Sequence, residues 1–352
     1  MIDTSATAGT WTGERRLRAA LAHEQPDRTP VWFMRQAGRC LPDYRRLRER
    51  HDILTLAKTP DLCAEVTLMP VEAFGVDAAV LFADIMLPLE PMGVTLEIQP
   101  EIGPIIHDPI RSRRAVDALR LIEPAEELGF VMEAIRLVRR ALDGRQAVIG
   151  FSGAPFTLAC YLIEGRPSRD YGTAKAFMFR EPEAWHALME RLSTVVIRYL
   201  NAQVEAGVHV VQLFDSWVGA LTPADYRRYV QPHMARIFAE VRGARTIHFG
   251  TGAAHLLDAM AEAGGDLLGI DHRQPLDEAW SRIGFERGIQ GNLDATRIPA
   301  GWGPTAEGAR DVLRRAANRP GHVFNLGHGV TPDSDPGVLR RLVELVHEET
   351  ER

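Results

Sequence analysis

The chain has 352 residues, 45% hydrophobic and 25% charged, with 41 Lys plus Arg against 47 Asp plus Glu and a formal net charge of −6. That balance excludes a general basic face for nucleic acid or anionic membrane, and no stretch reaches the roughly 18 consecutive apolar residues of a membrane helix. The cysteines Cys40, Cys63 and Cys160 are far apart and form no C-x-x-C pair, which argues against a disulfide framework or a cysteine-rich zinc site and points to a reducing cytoplasm.

Residues 1–12 are small and polar, without the basic and apolar regions of an export signal, and read as a flexible N-terminus. The run TPVWFM reads as a first buried strand; it ends at Arg35, with Gly38 and Arg39 close behind. RRLRER at 45–50 is a solvated helix face. DAAVLFAD is a second strand closing on Asp84. After it, MGVTLEIQPEIGPIIHDPI alternates apolar and polar residues around Pro100 and Gly103, the pattern of a β-hairpin. QAVIGFSG closes on Ser152 and Gly153, VHVVQLFD on Asp215 with Ser216 next, and ARTIHFG carries His248. LLGID, GIQGN and HVFNLGHG close on Asp271, Asn292 and His328. Between the strands lie helical patterns such as EAWHALMERLSTVVIRYLNAQVEAG and ADYRRYVQPHMARIFAEVRG, with Gly207, Gly243 and Gly265 as expected stops.

Eight near-continuous apolar strands alternating with helices predict an α/β fold, a single (β/α)8 TIM barrel over residues 13–352 with a β-hairpin insertion after strand 2. The alternative is an open doubly wound sheet; against it, no G-x-G-x-x-G opens a helix after the first strand and no G-x-x-x-x-G-K-[ST] occurs.

In a barrel of this kind chemistry gathers at the carboxyl ends of the strands, and all eight runs close on polar residues. Each has a plain structural reading beside the functional one. Asp84 is either the cap of the following turn or a carboxylate at a cleft floor. His328 is a loop histidine or a site residue that Gly327 and Gly329 leave accessible. Tyr161 is core by pattern, with a hydroxyl that needs a partner. Arg35 and Arg39, at the end of a buried run, call for an internal ion pair or for carboxylate or phosphate, which the planar guanidinium takes bidentately.

The stretches VWFMRQAGRCLPDYR, FADIMLPLEPMG, GFSGAPFTLACYLIEG, QLFDSWVG and NLGHGVTPDSDP, in this order over nearly the whole chain, resemble the uroporphyrinogen decarboxylase family. The resemblance implies a cofactor-free, homodimeric (β/α)8 barrel, and no metal is expected because no strand end offers a three-ligand cluster of His, Cys or carboxylate. Its substrate would be uroporphyrinogen III, decarboxylated at four acetate arms to coproporphyrinogen III in haem biosynthesis. It implies substrate-binding roles for Arg35, Arg39, Asp84, Tyr161, Ser216 and His328, with Asp84, Arg35, Tyr161 and His328 catalytic. Cys40 departs from the family pattern, where an aromatic residue commonly follows the second arginine. Two other readings stay open: a non-catalytic tetrapyrrole-binding barrel, and a zinc-dependent corrinoid or thiol methyltransferase. The latter needs histidine and cysteine ligands, and IHFGTG supplies His248 without a neighbouring cysteine.

Overall fold

The computed structural model describes residues 10–99 and 102–352. Most of the segment expected to be loose, residues 1–9, lies outside the described residues. Thr12 belongs to the fold: its hydroxyl accepts the Arg15 N–H at 3.2 Å and caps the helix Gly13–Leu21.

The strands are β1 Ala78–Val80, β2 Leu96–Gln99, β3 Gly103–Ile106, β4 Ala147–Gly153, β5 Val210–Asp215, β6 Arg245–Gly250, β7 Leu267–Gly269, β8 Gly288–Gln290 and β9 His322–Val323. Seven of them form a curled parallel sheet in the order β1-β4-β5-β6-β7-β8-β9. Side chains alternate across it. Val80, Ile149, Val210, Ile247, Phe249 and Val323 gather on the concave side, where Leu17, Ala20 and Leu21 of the helix Gly13–Leu21 close the amino end. Val148, Val211, Leu213, Leu268 and Ile289 point the other way into the helix layer. Burial on both faces explains why these strands read as continuous apolar runs.

The first expected strand is not part of that ladder. The segment around Val31 touches both edges of the sheet: the Phe324 N–H donates to Pro30 O at 2.9 Å on the β9 side, and the Asp77 N–H donates to Val31 O at 2.9 Å on the β1 side. Only one bridge forms, Val31 to Phe324. The reason is that side chains take the segment's donors. Val31 N–H goes to Asp77 Oδ2 (2.8 Å), Phe33 N–H to Gln36 Oε1 (2.9 Å) and Met34 N–H to Asn325 Oδ1 (3.1 Å). Asp77 also accepts His347 Nε2 at 2.8 Å and Arg16 at 3.1 Å, so one buried carboxylate ties the first helix, the Val31 segment and the last helix, Pro336–Thr350, together.

Two other expectations are refined. ADYRRYVQPHMARIFAEVRG forms two helices, Pro223–Tyr229 and Gln231–Glu240, because Pro232 has no N–H for the ladder and its ring crowds the preceding turn. Strands β2 and β3 pair antiparallel from Leu96–Ile106 to Gln99–Gly103, while Pro100, at the expected turn, lies outside the described residues. Ile106 N–H to Gly165 O (2.7 Å) and Ile110 N–H to Leu162 O (2.8 Å) fix this ribbon to the end of the helix Pro155–Glu164.

Candidate functional site

The six candidate residues all lie on segments that follow the carboxyl edge of the sheet or of the Val31 segment. Arg35 leaves that segment with φ +58°, a left-handed conformation that costs a non-glycine residue roughly 1–2 kcal/mol. Gly329 presses on its stem: a Cβ there would lie 2.5 Å from Arg35 Cδ. Gly38, at φ +117°, sits against the Tyr44 ring, where an added Cβ would come within 3.2 Å. Arg35 and Arg39 are both exposed, and neither guanidinium has a hydrogen-bond or ion-pair partner among the described residues. Of the two readings of these arginines, the internal ion pair does not form among the described residues. Desolvation, then the charge of Arg35, lowers the pKa of Arg39, so two like charges stand near each other without an acid between them.

Asp84 is half-buried. Its Oδ1 accepts the Met86 N–H at 2.8 Å and opens the short 3₁₀ turn Leu87–Leu89; Oδ2 has no donor among the described residues. The capping role and a free carboxylate oxygen thus coexist in one side chain. Burial pushes the Asp84 pKa up, against the opposing pull of the Met86 N–H and the Arg35 charge. Tyr161 stands one turn after Thr157 on the helix Pro155–Glu164, which starts with Pro155 and ends at left-handed Gly165. Burial, then the Asp84 charge, pushes its hydroxyl up to about 12, while Arg35 pulls the other way. His328 is exposed; desolvation and then Arg35 lower its pKa. Arg35 therefore acts electrostatically on Arg39, Asp84, Tyr161 and His328, which groups five of the six. Ser216 is half-buried just beyond β5, and its carbonyl accepts the Thr251 hydroxyl.

Four other strand-end residues are absorbed by the fold. Asp271 accepts Arg273 Nη1 at 2.5 Å and Gly252 N–H at 2.5 Å, and Asn292 donates to the carbonyls of Asp271 (2.9 Å) and Gln274 (2.8 Å). Asp215 and His248 are fully buried among the helices: Asp215 Oδ1 accepts the Thr157 hydroxyl at 2.9 Å, and His248 packs on Phe238. Cys40 is buried, and burial pushes its thiol up to about 11, so the neighbouring arginines do not make it reactive.

Residues without a sequence signal also stand here: Trp217 packs on Tyr161 and Tyr171 packs on Trp217, while His272 and Arg273 lie within electrostatic reach of His328. DSWVG places an aromatic residue just past a strand end, and a lone aromatic carries no spacing pattern to mark it. A cavity of about 1120 Å³ opens at the opposite, amino edge, lined by Arg15, Arg18, His209 and Arg245. None of the six candidates lines it.

A curled parallel sheet of seven strands with helices packed on it, carrying at its carboxyl edge two cations without a protein partner among the described residues and a half-buried carboxylate, defines an α/β protein of TIM-barrel-like fold. Comparison with known proteins narrows the class. The family model "Uroporphyrinogen decarboxylase (URO-D)" matches residues 12–349. The uroporphyrinogen decarboxylase of Sorangium cellulosum is 51% identical over 336 residues, covering 95% of this chain and 96% of its own. That of Thermus thermophilus is 51% identical over 334 residues, covering 94% and 97%. A methyltransferase from Methanosarcina mazei superposes with a TM-score of 0.82 at 20% identity, over 97% of this chain and 99% of its own, a likeness of fold. The chain belongs to the uroporphyrinogen decarboxylase family.

Proposed function

We propose that this carboxy-lyase removes CO2 from the four acetate arms of uroporphyrinogen III to give coproporphyrinogen III, with neither metal nor organic cofactor. The reading includes one catalytic domain over residues 13–352, a (β/α)8 barrel with the Val31 segment as its eighth stave and the β2–β3 ribbon as a hairpin insertion. It further includes a homodimer working in the cytoplasm.

Loss of CO2 from a pyrrole acetate leaves an electron pair on a carbon that stabilises it poorly. A proton added first to a ring carbon creates a cationic sink for that pair; once CO2 departs, a proton delivered to the exocyclic carbon makes the methyl group, and the proton first added leaves the ring carbon to restore the pyrrole, so one proton is taken up per CO2 released. Asp84 Oδ2, free of protein donors, receives pyrrole N–H groups and opposes the ring cation. Arg35 and Arg39, held apart from any protein acid, take the carboxylate arms. Tyr161, Ser216 and His328 complete the substrate's polar contacts, Tyr161 and His328 beside the reacting ring. Arg35 belongs to both groups, since its charge reaches Asp84 as well as the cleft. The observation that carries this reading is the pair of unpartnered guanidinium groups next to a carboxylate with one oxygen free. The zinc-methyltransferase alternative needs His248 as a ligand, and His248 faces the helix layer.

Anaerobic incubation with uroporphyrinogen III, before and after exhaustive chelation, tests it. Products with seven, six, five and then four carboxylates should appear at equal rates in both samples. Unchanged octacarboxylate would refute the activity, and loss restored by added zinc would refute cofactor independence.

A further inference from the structure

Tyr161 is not held by hydrogen bonds. Its hydroxyl has no partner among the described residues, and its ring is held by aromatic contact: the Trp217 ring centroid lies 4.0 Å away with the planes at 37°, and the Tyr171 ring in turn lies 4.8 Å from Trp217 at 30°. Each member is anchored separately. The Trp217 N–H donates to Thr157 Oγ1 at 3.4 Å, and that hydroxyl donates to buried Asp215 Oδ1 at 2.9 Å. Thr157 and Tyr161, four apart on one helix, share a face, so the helix and the loop after β5 are locked at two adjacent points. Tyr171 holds φ +51°, a left-handed conformation rare for an aromatic residue, with its N–H given to Ser168 Oγ at 3.2 Å. Local strain of this kind persists only where surrounding contacts over-determine it.

We propose that Trp217 is a positioning residue: its indole, in contact with both Tyr161 and Tyr171 and tied through its backbone to the Thr157–Asp215 pair, fixes where the Tyr161 hydroxyl stands at the carboxyl edge of the sheet. The proposal rests on the reading that this hydroxyl acts on the substrate. Trp217 acts through Tyr161, by orientation, and needs no contact of its own with the macrocycle. A ring of similar shape should therefore serve almost as well, whereas loss of the ring leaves Tyr161 free to turn about its side-chain torsions. Misplacement of a working group by about 1 Å can cost up to about 10²-fold in rate.

Four variants test this: Trp217→Phe, Trp217→Leu, Tyr161→Phe and the double variant Trp217→Leu/Tyr161→Phe, each assayed anaerobically for kcat and KM and melted thermally. Trp217 is half-buried and Leu keeps an apolar side chain there, so the melting curve separates any loss of fold from loss of rate. Trp217→Leu should lower kcat/KM by about 10- to 10²-fold, Trp217→Phe should recover to within about threefold of wild type, and the double variant should be no slower than the slower single one. Losses that multiply in the double variant, or a Trp217→Leu enzyme at wild-type rate, would overturn the positioning role. A Tyr161→Phe enzyme at wild-type rate would instead remove the reading of Tyr161 on which the proposal rests, whatever Trp217 did.

Discussion

Replacing Asp84 with Asn separates the two roles the structure gives this side chain. The Met86 N–H needs only an acceptor at 2.8 Å, and the amide oxygen of Asn supplies one, so the turn at Leu87–Leu89 should survive; Asn and Asp cap about equally well. What disappears is the charge. A carboxylate about 4 Å from a cationic pyrrole at an effective dielectric of about 20 contributes roughly 4 kcal/mol. If only two-thirds of that is specific to the transition state, kcat falls about 10²-fold. The assay is anaerobic turnover with product separation by carboxylate number, alongside thermal melting. Asp84→Asn should melt within a degree or two of wild type and lose kcat; Asp84→Ala, which drops the cap as well, should lose about 1 kcal/mol of stability in addition. A stable Asp84→Asn enzyme turning over at the wild-type rate would refute the electrostatic role and leave only the turn. The raised pKa of Asp84 adds a second signature. Because the ionised form is required, the acid limb of the pH–rate profile should lie above the ordinary aspartate value of about 3.9.

Arg35→Lys should cost nearly as much kcat/KM as Arg35→Ala, since an ammonium lacks the planar fork; near-normal kcat/KM in the Lys variant would remove the carboxylate clamp. His209, His233 and His322 are held near a pKa of about 4 by burial, against an unfolded value of about 6.5, so the stability they contribute is present above pH 6.5 and lost as pH falls toward 4. For fully buried His322 this amounts to about 3 kcal/mol, which urea titrations at pH 7.5 and 4.5 should register; a flat pH dependence would contradict it. Asp77→Ala strips the acceptor shared by His347, Arg16 and Val31 N–H and should destabilise by about 3–5 kcal/mol in the same titrations, whereas a loss under 1 kcal/mol would deny that this carboxylate ties the first helix, the Val31 segment and the last helix together.

The alternation of strand and helix, and the closing residue of each strand, were legible because parallel strands in a helix-covered sheet must be apolar and must end in polar turns. The same double burial hid which way each residue faces. Gln212 hydrogen-bonds to Gln290 and shares the strand parity of the concave side, whereas Leu213 and Asp215 face the helices, and nothing in VVQLFD distinguishes the two sets. Asp215 and His248 therefore count among the polar strand ends in the sequence, while the fold turns both toward the helices. The exposure of Arg35 and Arg39 was hidden for another reason. Their position depends on a left-handed residue and on Gly329, which lies nearly the whole chain away in sequence. Trp217 was missed because an isolated aromatic residue carries no spacing pattern, and its meaning appears only when Tyr161 and Tyr171 are brought beside it.

The measurement that bears most directly on the site is a crystal structure with coproporphyrinogen bound. The macrocycle should sit at the carboxyl edge of the sheet, its pyrrole N–H groups turned to Asp84 Oδ2 within about 3 Å and its acid arms meeting Arg35 and Arg39. A tetrapyrrole lodged at the amino-edge cavity, or one whose pyrrole nitrogens face away from Asp84, would contradict the account.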